Sequence, residues 1–326
     1  MTAHGGGSRC KLREQMQRRV RRMATLRPQH DKPESSRRLS RLCTSVCVLL
    51  VGLAIGSAFL QAQYRQDAYG FLRGMRGEQG DPPEFPPTRP ADGDVTACHM
   101  LYTSVRREAS GAGWRTDYPW GERHLLARLS ELTKTRVSWL TTSAPRVPHS
   151  WLVRLTDDAL FSCTYLMASD VGTIGLSDEE AAHLRLYLEK GGFLWVDDFW
   201  GDAAWEQWSQ EFSKVMPPGE FPIEDVPLSD PIFHVMFDVK KVPQVSNIRF
   251  WRATGGQQTS ERGAESAVVH FRAVRDKHQR IVAVMTHNTD VSDSFEREGD
   301  DPQFFYQFSP DGYALGINVL LYDLSH

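Results

Sequence analysis

The apolar positions change period along the chain. In "LSDEEAAHLRLYLEKGG" they recur at helical spacing after Ser177, Glu180 stands three positions on as a capping-box partner, and Gly191 stops the run. That pattern predicts a helix over 177–190. Directly after it Phe193, Leu194, Trp195 and Val196 follow without alternation, as in a strand covered on both faces. A helix feeding straight into such a strand, here "GFLWVD" (192–197), indicates a parallel α/β sheet. In such sheets ligands sit beyond the carboxyl ends of the strands, which is where Asp197 and Asp198 stand.

The same reading gives "CHMLYTSV" (98–105) as a first strand. A helix comes next over 120–133, with Leu125, Leu126, Leu129 and Leu132 on one side. "TRVSWL" (135–140) and "LFSCTYLM" (160–167) are the second and third strands. The order βαββαβ with short links predicts a doubly wound, mostly parallel sheet. Residues 202–215 place Trp205, Trp208 and Phe212 at i, i+3 and i+7, a helix docked by aromatics. The stretch 216–246 is irregular and proline-rich, with a short helix at "DPIFHVMF". "NIRFWRA" (247–253), "AVVHFRAV" (267–274) and "RIVAVMTHN" (280–288) read as strands, the last two joined by a tight turn at "RDKHQ". A helix over 312–325 closes the chain, and no internal repeat is found.

Composition changes the picture at the N-terminus. With 326 residues, 40% hydrophobic and 24% charged, the chain holds one large domain or two small ones, and disorder throughout is excluded. Residues 1–42 contain 12 Lys and Arg against 3 Asp and Glu, which leaves 26 basic against 38 acidic residues in the rest. So acidic a main body argues against a nucleic-acid partner. Residues 43–62 carry no charge and just reach the ~20 residues a membrane-spanning helix needs. An uncleaved membrane anchor is the favoured reading. The competing one is a signal cleaved near Ser57, Ala58 or Ala62, for which a 42-residue leader is too long unless translation starts at Met23. From that start "SRRLSRL" (36–42) resembles part of a twin-arginine signal, with Ser40 at its apolar position. Either way the positive-inside rule leaves 1–42 in the cytoplasm and puts the chain beyond residue 63 outside, in a periplasmic location.

Residues 63–95 then form a spacer, stiffened by five prolines in "GDPPEFPPTRPADGD" (80–94), and 96–326 form the α/β domain. Cys98 and Cys163 fall in that domain. A disulfide between them is one reading in an oxidising compartment. The favoured one is two buried small side chains on neighbouring strands, since cross-strand geometry in a parallel sheet seldom suits the bond.

Three polar clusters stand just past strands: "WRTDYPWGER" (114–123) with Trp114, Asp117 and Tyr118; the pair Asp197 and Asp198; and "HNTDVSDSFE" (287–296) with His287, Asn288, Asp290 and Asp293. On central parallel strands they converge on one crevice. Each also has a plain structural role open to it. Asp117 precedes a helix that it can cap. By strand alternation only one of Asp197 and Asp198 faces the crevice, Asp198 being the better candidate, and the other is free to cap the helix at 202. His287 and Asn288 can satisfy loop backbone.

"WRTDYPWGERHLLARLSELT", "LSDEEAAHLRLYLEKGGFLWVDDFWG", "SDPIFHVMF", "HNTDVSDSFE" and "YALGINVLLYDL" together resemble a bacterial family of unknown function with a class I glutamine-amidotransferase-like fold, over roughly residues 96–326. The resemblance implies an envelope protein, usually membrane-tethered. In working amidotransferases a Cys sits on the sharp turn between strand and helix, activated by a His elsewhere. Here that turn reads "LWVDDFWGDAAW", without Cys or Ser, so glutaminase chemistry is not expected. Two functions remain. One is a tethered binding module using Trp114, Asp117, Tyr118, Asp198 and Asn288 to hold an envelope ligand or protein partner. The other is a hydrolase whose carboxylates act as acid and base or hold a divalent metal, with His287, Asp290 and Asp293 added to Asp197 or Asp198. Carboxylates alone suit Mg²⁺, Ca²⁺ or Mn²⁺, and a His admits Zn²⁺. No HExxH or EF-hand ligand motif is present, and the binding module is the favoured function.

Overall fold

In a computed structural model, residues 83–87, 94–109, 111–140 and 146–326 are described. The basic tail and the uncharged stretch 43–62 lie outside them, and among the described residues no helix is long and apolar enough to cross a membrane. In chain order the elements are β1 (Ala97–Leu101), β2 (Thr103–Ser104), α1 (Trp120–Leu132), β3 (Ser150–Arg154), β4 (Tyr165–Ser169), β5 (Ile174–Gly175), α2 (Asp178–Glu189), β6 (Leu194–Phe199) and α3 (Asp202–Val215). Then come β7 (Glu224–Asp225), α4 (Ile248–Ala253), β8 (His270–Arg275), β9 (Ile281–His287), α5 (Asp293–Glu296) and α6 (Pro302–Ser325).

Seven strands make one sheet in the order β3-β1-β4-β6-β9-β8-β7. The first five are mutually parallel, and the β8 hairpin arm runs antiparallel to β9. The expected mixed α/β, mostly parallel sheet is therefore present. Its apolar strands are buried on both faces, which is why they lack alternation. Phe193 and Trp195 point into a core shared with Leu125, Leu126 and Leu129 of α1 and Leu315, Ile317 and Val319 of α6. Full burial of each such side chain contributes about 1.5–3 kcal/mol. On the other side α2 packs on α3. The capping box of α2 is complete: Ser177 Oγ accepts from Glu180 N at 3.2 Å and Ser177 N donates to Glu180 Oε2 at 2.9 Å.

Several expectations are corrected. Residues 135–140 form only isolated bridges at Val137 and Trp139, and the edge strand is β3. The third strand starts later, because 158–162 is a 3-10 turn. Residues 247–253 are helical rather than extended: Asn247 Oδ1 caps Arg249 N at 2.9 Å, and Ile248 and Trp251 share a small core with Phe304 and Phe308. The last helix starts ten residues before 312, capped by Asp301, and runs through Pro310. Residues 83–87 of the expected spacer are held to the domain, since Leu152 N of β3 donates to Glu84 O at 2.7 Å.

Cys98 and Cys163 are disulfide-bonded, with Cα atoms 5.6 Å apart. The reading of two unlinked thiols fails because Cys163 lies in the connection two residues before β4, where its direction is free of the sheet register. Closing a loop with a sequence separation of 65 contributes about 4 kcal/mol in the chain-entropy account.

Candidate functional site

The strand order reverses at β1, which has β3 on one side and β4 on the other, so the crevice opens beyond the carboxyl ends of β1 and β4. Ser169, at the end of β4, donates its Oγ hydrogen to Asp117 Oδ2 at 2.6 Å across this point. Asp117 thus does not cap α1, whose N-cap, Pro119, has no side-chain bond.

Next to it, β6 and β9 run in register to Val196 and Met285 and resume at Phe199 and His287, so β6 carries one extra residue. This bulge separates the two neighbouring aspartates. Asp197 is fully buried and accepts from Thr286 Oγ1 at 2.5 Å and Ser292 N at 2.7 Å. It holds the loop after β9. It does not cap α3, whose N-cap, Gly201, has no side-chain cap bond. Asp198 has φ 50°, and its Oδ1 accepts from Trp200 Nε1 at 2.7 Å. Asp117, Asp170 and Asn288 also have positive φ, at 65°, 52° and 63°. Asp and Asn tolerate this conformation better than other side chains, and its gathering beyond strand ends is typical of functional sites.

Asp117, Asp198 and Asp290 each bring one oxygen to within 4.8 Å of the others. Burial raises all three carboxyls well above the ordinary range. Like charges add to it: Asp198, Glu296 and Asp293 for Asp117; Glu261, Asp170 and Asp197 for Asp198; Asp117, Asp198, Asp293 and Asp197 for Asp290. Asp117, Asp293 and Glu296 form a second such group. That one already faces a cation, because Arg297 reaches Asp293 at 3.3 Å and Glu296 at 3.1 Å, and Asp293 Oδ2 accepts from Ile248 N at 3.0 Å, leaving only Glu296 Oε2 without a hydrogen-bond partner.

Asp198 also lines a small cleft with Glu108, Asp170, Trp200, Asn247, Glu261 and Arg262. Burial pushes Asp170 up to about 7, Glu108 adding to the shift and the Gly113 N–H, Arg262 and Arg106 opposing it. Asp170 directly follows the buried strand β4, yet it escapes the sequence pattern, whose third strand ends at residue 167. Glu108 and Glu261 come from loops, where no periodicity marks them.

The other expected site residues lie elsewhere. Trp114 and Tyr118 pack edge-on at 6.2 Å, and Tyr118 Oη donates to Ser150 O at 3.2 Å, which fixes the loop after β1 to the edge strand rather than lining the cleft. Asn288 clips two loops, accepting from Gly201 N and donating to Val268 O, each at 2.8 Å. His287 uses both ring nitrogens, accepting from Arg272 at 3.2 Å and donating to Gly201 O at 3.1 Å, so it is not disposed to bind Zn²⁺.

This geometry sets two expected outcomes. Asp197→Asn removes the charge that serves Thr286 and Ser292 and is expected to cost about 1–3 kcal/mol. Asp198→Asn replaces a carboxyl whose ionisation burial and neighbouring carboxylates disfavour, and is expected to melt at or above the wild-type temperature. Calorimetry decides, and a lower melting point for both variants rejects the division of labour. His287 is pushed down to about 4 by burial, with Arg272 and His270 adding to the shift. Between its ordinary value of 6.5 and about 4 the unfolded chain binds a proton that the folded chain does not, so stability is lost as pH falls through that window, by up to about 3 kcal/mol. His287→Gln is expected to flatten this acid limb in urea titrations at pH 7 and 4.5; an unchanged slope overturns the assignment.

No curated protein sequence matches the chain. The profile of the family described as a domain of unknown function, DUF4159, matches residues 102–324, from the end of β1 to the last turn of α6, and the chain belongs to that family.

Proposed function

We propose that this chain is an extracytoplasmic binding module, anchored by or exported through residues 43–62, that holds a small envelope ligand in the acidic cleft without bonding to it covalently. The observation that carries this reading is Asp198. It stands at the sharp end of β6, where an amidotransferase-like fold would keep its nucleophilic thiol, while Cys98 and Cys163 are consumed by their disulfide. The parallel sheet and the strained strand end support such a fold. The disulfide supports an oxidising compartment, and the basic segment before an uncharged one supports the orientation.

Around the cleft Glu108, Asp170, Asp198 and Glu261 face Arg262, with Trp200 beside them and Arg106 paired to Glu108 at 2.6 Å. That set favours a ligand with an amine or several hydroxyl groups, the chemistry of amino sugars and amine-bearing cell-wall peptides. A hydrolase is the second reading, and Asp170 favours it, since a carboxyl near 7 is suited to proton transfer at neutral pH.

Calorimetric titration of the full chain in detergent with soluble cell-wall muropeptides is expected to give saturable binding. Glu261→Gln should weaken it about tenfold, equivalent to ~1.4 kcal/mol. Absence of heat with every fragment rejects the binding module, and cleavage of a fragment during the titration favours the hydrolase. Protease added to intact spheroplasts is expected to digest the domain while an N-terminal tag survives; a digested tag reverses the orientation.

A further inference from the structure

The crowding of Asp117, Asp198 and Asp290 calls for a counter-charge. Three oxygens lie within 4.8 Å of one another, on loops or strand ends that the fold fixes independently. Asp117 is tied to Ser169 of β4, Asp198 to the bulge of β6, and Asp290 to the loop after β9 through its own N–H, which donates to Val245 O at 2.9 Å. Hydrogen bonding satisfies only part of the set. Asp290 is 1% exposed, and while its Oδ1 accepts from Asp293 N at 2.8 Å, its Oδ2 has no hydrogen-bond partner. A buried carboxylate oxygen left without a donor beside two other carboxyls is costly, unless a cation completes it.

Arg297 compensates the neighbouring group of Asp293 and Glu296, and its contacts do not extend to Asp198 or Asp290. Two acidic groups therefore share Asp117, one facing the Arg297 guanidinium and one open toward the cleft that Asp198 also lines.

We infer that Asp117, Asp198 and Asp290 form a binding site for one hard divalent cation of the Mg²⁺, Mn²⁺ or Ca²⁺ class. All three ligands are carboxylate oxygens, the donor set those ions prefer, and both nitrogens of His287 are engaged elsewhere, so a softer Zn²⁺ site is not built here. Ser169 acts as a positioning residue by holding Asp117 through its hydroxyl. The cation would lie at the inner end of the cleft, with Asp198 joining the two. This site does not depend on the identity of any envelope ligand, so it can stand even if no cell-wall fragment binds.

The test uses the full chain stripped with a chelator and titrated with MgCl₂, MnCl₂ and CaCl₂ by calorimetry, with Mn²⁺ also followed by electron paramagnetic resonance. One cation per chain is expected, with a dissociation constant of about 10⁻⁴ M or tighter. Asp290→Asn should weaken it about tenfold or more while the chelated protein keeps its melting temperature. Should that variant fail to fold, Asp117→Asn is the second probe of the same site. Glu108→Gln, in the cleft but outside the three ligands, should leave cation affinity within about twofold. Ser169→Ala should weaken binding less than either ligand variant. The order of affinities among the three salts identifies the ion. No saturable binding below about 10 mM overturns the site. So does binding that survives both ligand variants or is lost equally in Glu108→Gln.

Discussion

The carboxyl edge of the sheet depends on how one buried charge is satisfied. Asp197 is fully enclosed, and its two carboxylate oxygens are taken up by Thr286 on the adjacent strand and by the backbone of Ser292 in the loop beyond it. A buried carboxylate without such donors would be strongly unfavourable. With them, it fixes where the loop after β9 leaves the sheet. That loop carries Asp290 and starts α5. The bulge that lets Asp197 keep its inward direction forces the extra residue, Asp198, into a left-handed conformation and turns it toward the cleft.

A second consequence is electrostatic. The chain gathers Asp117, Asp170, Asp198 and Asp290 at one end of the sheet, where burial and mutual repulsion disfavour ionisation of each. Four positive-φ residues in the same region add backbone strain, on the order of 1–3 kcal/mol apiece. The apolar core beside α1 and α6 reaches past the end of β9 through Val291 and Phe295, and none of these carboxyls belongs to it. Groups kept against stability in this way are the usual mark of a site retained for what it binds.

Much of this is legible in the sequence where local rules act alone. Ser177 and Glu180 announce α2, the unbroken run at 193–196 announces β6, and the hairpin of β8 and β9 is signalled by its turn. Legibility fails where tertiary context overrides local pattern. "NIRFWRA" has strand-like composition, yet its Asn cap and its contact with Phe304 and Phe308 make it a helix. Cys98 and Cys163 read as badly placed for a bond only because the apolar run starts β4 too early. At the site, the roles of Asp197 and Asp198 are separable in principle, but alternation cannot foresee the bulge that separates them. Trp114 and Tyr118 group with Asp117 by sequence proximity, though a chain leaving a strand end can send neighbouring side chains to opposite sides of a loop.

The attachment of residue 84 has a mechanical meaning. Glu84 meets the domain at its edge strand: its carbonyl accepts from Leu152 N, its N–H donates to Tyr118 Oη at 2.8 Å, and its carboxylate is held by Arg123 and His149. Tension arriving along the preceding chain meets this clasp of hydrogen bonds and ion pairs first, and once it opens passes to β1, the next element in chain order. The next strand, β1, is covalently fastened across to the segment entering β4. Release of the clasp would therefore leave β1 still joined to the entry of β4, the strand pair beyond which the crevice opens.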